Sequence, residues 1–209
     1  MKIPAIFHNH RKMLVLIIVV SVLLRIGAAI YMGSEVVELP GTSDQISYHN
    51  LAIRVLQGHG FSFGENWWPV TKAGMPTAHW SFLYTFYLVG VYGLFGIQPL
   101  VARLIQALIV GILQPLLAYE LGKKVFSPGV GLLAAAWIAL YGYFIYYGGA
   151  LMTEMFYITA ILWVFKLAFE LAETPEKRGL ALLFGLGLGL VALLRQLFVL
   201  FVPFMFLWI

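Results

Sequence analysis

The sequence predicts an all-α polytopic transmembrane helical protein, and three observations carry that prediction. Hydrophobic residues make up 62% of the 209 residues and charged residues 11%, where a soluble domain carries about 45–50% and about 25%. The mean hydropathy is +0.91. Apolar runs of the length of a membrane span recur along the chain, separated by short basic or polar turns. A soluble fold of this size cannot cover so much apolar surface, so the bilayer has to solvate it. Disorder, a secreted disulfide scaffold and a cytosolic enzyme are thereby excluded. The chain has no cysteine, which excludes disulfides, thiol nucleophiles and cysteine-ligated zinc. Its formal charge of +4 does not point to nucleic acid, because the thirteen Lys and Arg are scattered. The basic bias of cytoplasmic loops accounts for most of them.

The elements follow in order. Residues 1–12 are polar and carry Lys2, Arg11 and Lys12. Residues 13–32 read as a first span of about 30 Å as helix. A wetter outer loop, 33–99, holds Glu35, Glu38, Asp44, Glu65 and Lys72. Further spans are expected near 101–121, 129–147, 154–171 and 180–194, and 197–209 starts another. That last run is short for a crossing, so the chain reads as the N-terminal part of a longer protein. The outer loop also contains an apolar block, 80–97. If it crossed, Lys123/Lys124 and Lys177/Arg178 would face outside, against the positive-inside rule. If it stays in the outer interface, every basic turn and the N-terminus are cytoplasmic. Charge parity therefore keeps 80–97 out of the count of spans and puts any chemistry on the outer face.

Few residues there can do chemistry. Asp44 is the only aspartate in the chain; Ser43-Asp44 starts a short helix that Gly58 stops. Glu154 opens the span after Thr153, where the helix dipole favours an acid but the apolar boundary makes a carboxylate costly. Arg195 lies near the outer end of the fifth span. Arg25 lies inside the first and needs a partner, with Asp44, Glu35 or a lipid phosphate as candidates. Lys72 and His79 are outer-loop cations. Trp67, Trp68, Trp80, Tyr84 and Tyr87 fit an interfacial aromatic belt. Gly185, Gly187 and Gly189 read as small-residue helix packing. Glu120 with Lys123/Lys124, and Lys166 with Glu170, have the spacing of pairs on one helix.

The order of short motifs is distinctive. Leu24-Arg25 in the first span precedes Ser43-Asp44-x-x-x-Tyr48-x-x-x-Ala52 and Gly58-His59-Gly60-Phe61. Trp80-x-x-Leu83-Tyr84, Leu94-Phe95-Gly96, Ala102-Arg103-Leu104 and Leu121-Gly122-Lys123-Lys124 come next. Gly131-Leu132-Leu133-Ala134-Ala135, Thr153-Glu154 and Gly189-Leu190-x-Ala192-Leu193-Leu194-Arg195 complete the series. Over nearly the whole chain this series resembles the GT-C membrane glycosyltransferases. The branch it resembles is the bacterial one related to protein O-mannosyltransferases and lipid A aminoarabinose transferase.

The resemblance implies juxtamembrane helices in the first outer loop and an essential acid there, which falls at Asp44. Glu154 corresponds to the acid of the second outer loop. His79 falls where the aminoarabinose branch has a lysine, with His-Trp in place of Lys-Pro. The implied activity is transfer of a sugar from a polyprenyl-phosphate donor to a hydroxyl of a lipid, glycan or protein acceptor. The site would face outward from an inner (plasma) membrane with a cytoplasmic N-terminus. Asp44 and Glu154 are then the expected catalytic residues, and Lys72, His79 and Arg195 the donor-phosphate ligands. A divalent metal ion on Asp44 and Glu154 is the other way to supply positive charge. The competing expectation, from Arg25 and the glycine-rich fifth span, is a non-catalytic transporter or lipid-carrier/assembly module.

Overall fold

A computed structural model describes residues 10–67 and 71–208; Lys2 and Trp68 of the sequence reading lie outside these residues. Among the described residues the chain is helical, and the only sheet-like pairings are isolated bridges within 39–76. The helices are α1 (His10–Met32), α2 (Asp44–Leu56), α3 (Phe82–Phe95), α4 (Pro99–Val125) and α5 (Pro128–Leu140). They continue with α6 (Gly142–Gly149), α7 (Glu154–Glu173), α8 (Arg178–Leu194), a 3₁₀ turn (Gln196–Phe201) and α9 (Val202–Trp208). Three of them, α1, α4 and α7, are long and apolar enough to cross a membrane; α5 and α6, bent by 53° at their junction, make a fourth if counted together.

Local chemistry sets the boundaries. Pro99 and Pro128 stand in the first turns of α4 and α5, where their missing N–H costs nothing. Ser127 and Ser81 cap α5 and α3 by accepting from Val130 N and Tyr84 N, both at 3.3 Å. At the end of α2, Gly58 has φ +80°. Gly58 N donates to Val55 O and His59 N to Arg54 O, the paired bonds that close a helix through a left-handed residue. The start of α2 departs from expectation. Ser43 makes no side-chain cap; instead the Thr42 hydroxyl accepts from Asp44 N at 3.1 Å.

The bundle alternates in direction. Arg103 near the start of α4 reaches the end of α1, and Tyr119 near its finish packs with Leu14 near the start of α1. The pair is therefore antiparallel. Strand-free segments α5 and α6 return alongside: Ala135 joins Leu14 and Tyr119, and Gly148 abuts Arg25. Gly149 lies so close to α1 that an added Cβ would sit 2.8 Å from the Ala28 carbonyl carbon. Then α7 runs back, ending where Lys124 meets Glu173 at 2.7 Å. Finally α8 returns, with Leu193 O accepting from Ser81 Oγ at 3.0 Å. One end of the bundle thus gathers Arg11/Lys12, Lys123/Lys124 and Lys177/Arg178. The opposite end carries 33–67 and 71–98 and is called here the loop end. Both ends of α3 sit at the loop end.

Several side chains differ from expectation. Trp80 and Tyr84 are buried in the core with Tyr48, Leu88 and Leu151 rather than spread in a surface belt. Of Gly185, Gly187 and Gly189, only Gly187 is at an interface, against Val164 and Trp163 of α7. Lys124 pairs with Glu173 instead of Glu120, whereas Lys166 does pair with Glu170, at 2.6 Å.

The largest correction concerns Arg25. It is fully buried, and among the described residues no carboxylate pairs with it. Nη1 donates to Ser21 Oγ at 2.6 Å and to Ala139 O at 3.4 Å; Nη2 donates to Ile138 O at 3.0 Å and Gln114 Oε1 at 3.2 Å. The reason is the α5–α6 bend. It removes the N–H partners that a continuous helix would give these carbonyls, and a buried carbonyl without a donor is costly. A cation at the negative end of α5 also meets its dipole favourably.

Two outcomes follow. Arg25→Met is expected to lower stability by about 3 kcal/mol, seen as a lower thermal midpoint in detergent, with Arg25→Lys restoring only part of it. The second concerns His49, whose Nδ1 lies 2.9 Å from the Tyr92 hydroxyl. Burial, and then the charge of Arg103, hold its imidazole below the ordinary value of 6.5. The unfolded chain therefore binds this proton more readily than the folded one. His49 costs nothing above pH 6.5 and costs stability as pH falls below it toward the folded value. His49→Gln is expected to flatten that part of a stability-against-pH curve.

Candidate functional site

A cleft of about 530 Å³ opens at the loop end, with Asp44, Tyr48, His79, Trp80 and Arg195 in its walls. Each arrives from a different element. Asp44 is the first residue of α2, Glu154 the first of α7, and Arg195 the extended residue between α8 and the 3₁₀ turn. His79 precedes the Ser81 cap of α3. Two bonds bind the His79 segment to the Arg195 segment: Ser81 Oγ to Leu193 O, and Gln196 Nε2 to Ala78 O at 3.2 Å.

Arg195 and Glu154 form an ion pair, Nη2 donating to Oε1. The guanidinium also lies 3.4 Å, through Nε, from Thr153 Oγ1 and covers the Tyr157 ring. Glu154 is the more enclosed partner, its side chain 14% exposed against 44% for Arg195. Its second oxygen is buried without a hydrogen bond. An arginine that sequence reasoning gave only a phosphate or an interface to meet thus has a carboxylate partner. Both carboxylates act on Tyr48. Burial pushes its phenol up to about 12; a Thr153 hydrogen bond opposes this, while the charges of Asp44 and Glu154 add to it.

Gln45 holds Asp44 in register with Glu154. Its Oε1 accepts from Arg103 Nη2 at 3.2 Å and Leu151 N at 3.4 Å, and its Nε2 donates to Val37 O. The start of α2 is thereby tied to the turn before Glu154. Arg103 in turn is buried and donates to Met32 O, Gly33 O and Glu35 O, at 3.2, 2.5 and 2.9 Å. Sequence reasoning passed over Gln45 and treated Arg103 only as part of a motif. A signal was present: an arginine four residues inside an apolar helix needs acceptors, as Arg25 does.

An apolar groove of about 610 Å³ runs between α3, α4, α7 and α8, with Leu83, Phe86, Leu113, Trp163, Leu190 and Leu194 among its lining. Leu194 also lines the Asp44 cleft, so the two adjoin. Lys72, expected with His79 and Arg195 at the donor phosphate, does not line the Asp44 cleft. It lines a smaller cleft that shares His79 with the Asp44 cleft. Among the described residues no three His, Asp or Glu converge. Glu154, one of the two expected ligands, already has its charge matched by Arg195. No family model, curated protein or solved structure matches the chain.

The pair should be coupled. Glu154→Gln and Arg195→Gln, alone and together, are expected to give a coupling of about 1 kcal/mol in a double-mutant cycle of unfolding, modest because Arg195 is half in solvent. Arg195→Gln alone is expected to be the most damaging of the three, since it leaves an enclosed carboxylate without a counter-charge.

Proposed function

We propose that the protein is a polyprenyl-phosphate-sugar-dependent glycosyltransferase, acting on an acceptor hydroxyl at the outer face of the plasma membrane. One observation carries the reading: an acid with no ion pair among the described residues and an arginine share a cleft that adjoins an apolar groove at Leu194. A lipid-phosphate sugar has the same sequence of parts, an apolar chain, an anion and a polar head. The ordered motif series resembling GT-C glycosyltransferases supports the same activity. The basic turns at the opposite end support a cytoplasmic placement of that end.

On this reading the prenyl chain lies in the groove and its phosphate at Arg195. Asp44 accepts the proton of the acceptor hydroxyl as that oxygen attacks the anomeric carbon. The new C–O bond forms while the bond from the anomeric carbon to the phosphate oxygen breaks, and its electron pair leaves with the phosphate. Polyprenyl phosphate is a good leaving group, so what the protein has to supply is a base and stabilisation of the departing anion. Arg195 supplies that charge, and Glu154 holds the guanidinium in place. No step is routed through a metal ion.

A lipid-carrier module without catalysis is the second reading, favoured by the broken α5–α6 segment, since discontinuous helices often line transport sites. Here, however, the carbonyls freed by the break are bound by Arg25. Transfer separates the two readings. In membranes supplied with a panel of labelled undecaprenyl-phosphate sugars, label is expected to reach acceptor from one donor. Asp44→Asn is expected to slow it by about 10²–10⁴-fold while donor binding persists. Unchanged transfer in Asp44→Asn would remove the base; no transfer from any donor by folded protein would favour the carrier.

A further inference from the structure

Three concavities lie in sequence at the loop end. The apolar groove meets the Asp44 cleft at Leu194, and the Asp44 cleft meets a third, of about 310 Å³, at His79. Thr71, Lys72, Met75 and Thr77 line this third cleft with His79. Its walls are set by bonds within the loop. Thr77 N donates to Phe61 O at 2.9 Å, Gly74 N to Phe63 O at 2.8 Å, and Ala73 N to Asn66 Oδ1 at 3.0 Å. The Thr71 and Thr77 hydroxyls are 3.1 Å apart, and Ala78 O is held by Gln196. Amid these satisfied groups the exposed Lys72 ammonium makes no hydrogen bond or ion pair with the described residues.

We propose that the third cleft is the acceptor subsite, and that Lys72 selects acceptors carrying an anionic group close to the reacting hydroxyl. The inference rests on the glycosyltransferase reading and follows from the order of the clefts. The prenyl chain fills the groove that joins the Asp44 cleft at Leu194, and the cleft that joins it at His79 is left for the acceptor. His79 forms the wall shared by the two clefts, and the acceptor hydroxyl passes it to reach Asp44. An ammonium on that approach and without an internal counter-ion attracts a phosphate or carboxylate on the incoming molecule. Hydrogen bonds between charged groups contribute enough to discriminate it from a neutral analogue. Lys72 is a specificity residue here and touches none of the reacting atoms.

The test uses the full chain in lipid nanodiscs and two soluble probes that differ only in charge, methyl glucoside and methyl glucoside 6-phosphate. Saturation-transfer NMR titrations are expected to show about tenfold tighter binding of the phosphorylated probe. Lys72→Gln is expected to abolish that preference and Lys72→Arg to retain it. Binding of undecaprenyl phosphate, measured in parallel, is expected to be the same in all three proteins. Equal binding of the two glucosides by the unaltered protein would overturn the proposal, as would a preference that survives Lys72→Gln. Loss of undecaprenyl phosphate binding in Lys72→Gln would also overturn it, returning Lys72 to the donor phosphate. If the unaltered protein prefers the phosphorylated glucoside but binds no undecaprenyl phosphate, the glycosyltransferase reading fails and takes the acceptor role with it, leaving an anion site.

Discussion

Main-chain carbonyls freed at helix ends inside an apolar bundle have to find donors, and in this protein α4 and two arginines provide them. Arg25 takes up the carbonyls at the α5–α6 bend. Arg103 takes up those at the end of α1. Gln106 donates to Ala150 O at 2.6 Å and Gly148 O at 3.2 Å, where α6 ends, and Gln114 Oε1 accepts from Arg25 Nη2 at 3.2 Å beside the α5–α6 bend. Arg103, Gln106 and Gln114 fall on one face of α4 at helical spacing, so a single helix serves three breaks. Guanidinium suits this role because its planar fork reaches several oxygens from one position. Without these donors each break would leave buried acceptors unsatisfied, a cost of about 1–3 kcal/mol apiece.

The site inherits its geometry from that network. Arg103 both closes α1 and orients Gln45, and Gln45 joins the start of α2 to the turn before α7. Asp44 and Glu154 are far apart in sequence, yet each is the first residue of a helix whose N-terminus is held by the same set of bonds. Carboxylates at helix starts are favoured by the dipole. The enclosed one, Glu154, has Arg195 beside it, whereas Asp44 is left at the cleft wall without an ion pair among the described residues. The two acids are therefore divided between holding a cation and being available to a ligand.

Much of the fold was legible in the sequence because long apolar helices leave a coarse signal. The apolar runs located α1, α4, α7 and α8 within a few residues, and Gly58 marked the end of α2. Charge parity kept 80–97 out of the count of spans; the helix found there, α3, is 14 residues long and shorter than the candidate spans. Less was legible where an element is broken rather than continuous: the run 129–147 read as one span, because nothing in Leu140-Tyr141-Gly142 besides one glycine signals a bend of 53°. The partner of Arg25 was misjudged for the same reason. Opposite charges can be sought by reading along a sequence, but carbonyl acceptors exist at every residue and become available only where a helix stops.

The sequence by itself determined the class of the protein, the helical segments, the segregation of basic turns and the small set of residues able to carry charge at the loop end. Those follow from composition and local spacing, which depend on each residue's own transfer energy. Only the tertiary structure decided which of them meet. It paired Arg195 with Glu154, put Asp44 in the same cleft, moved Lys72 to the far side of His79, and joined the cleft to an apolar groove. Contacts between residues such as 154 and 195, or 45 and 151, depend on how helices pack and where they end. That is a property of the folded bundle and of the carbonyls its breaks expose, and no local pattern encodes it.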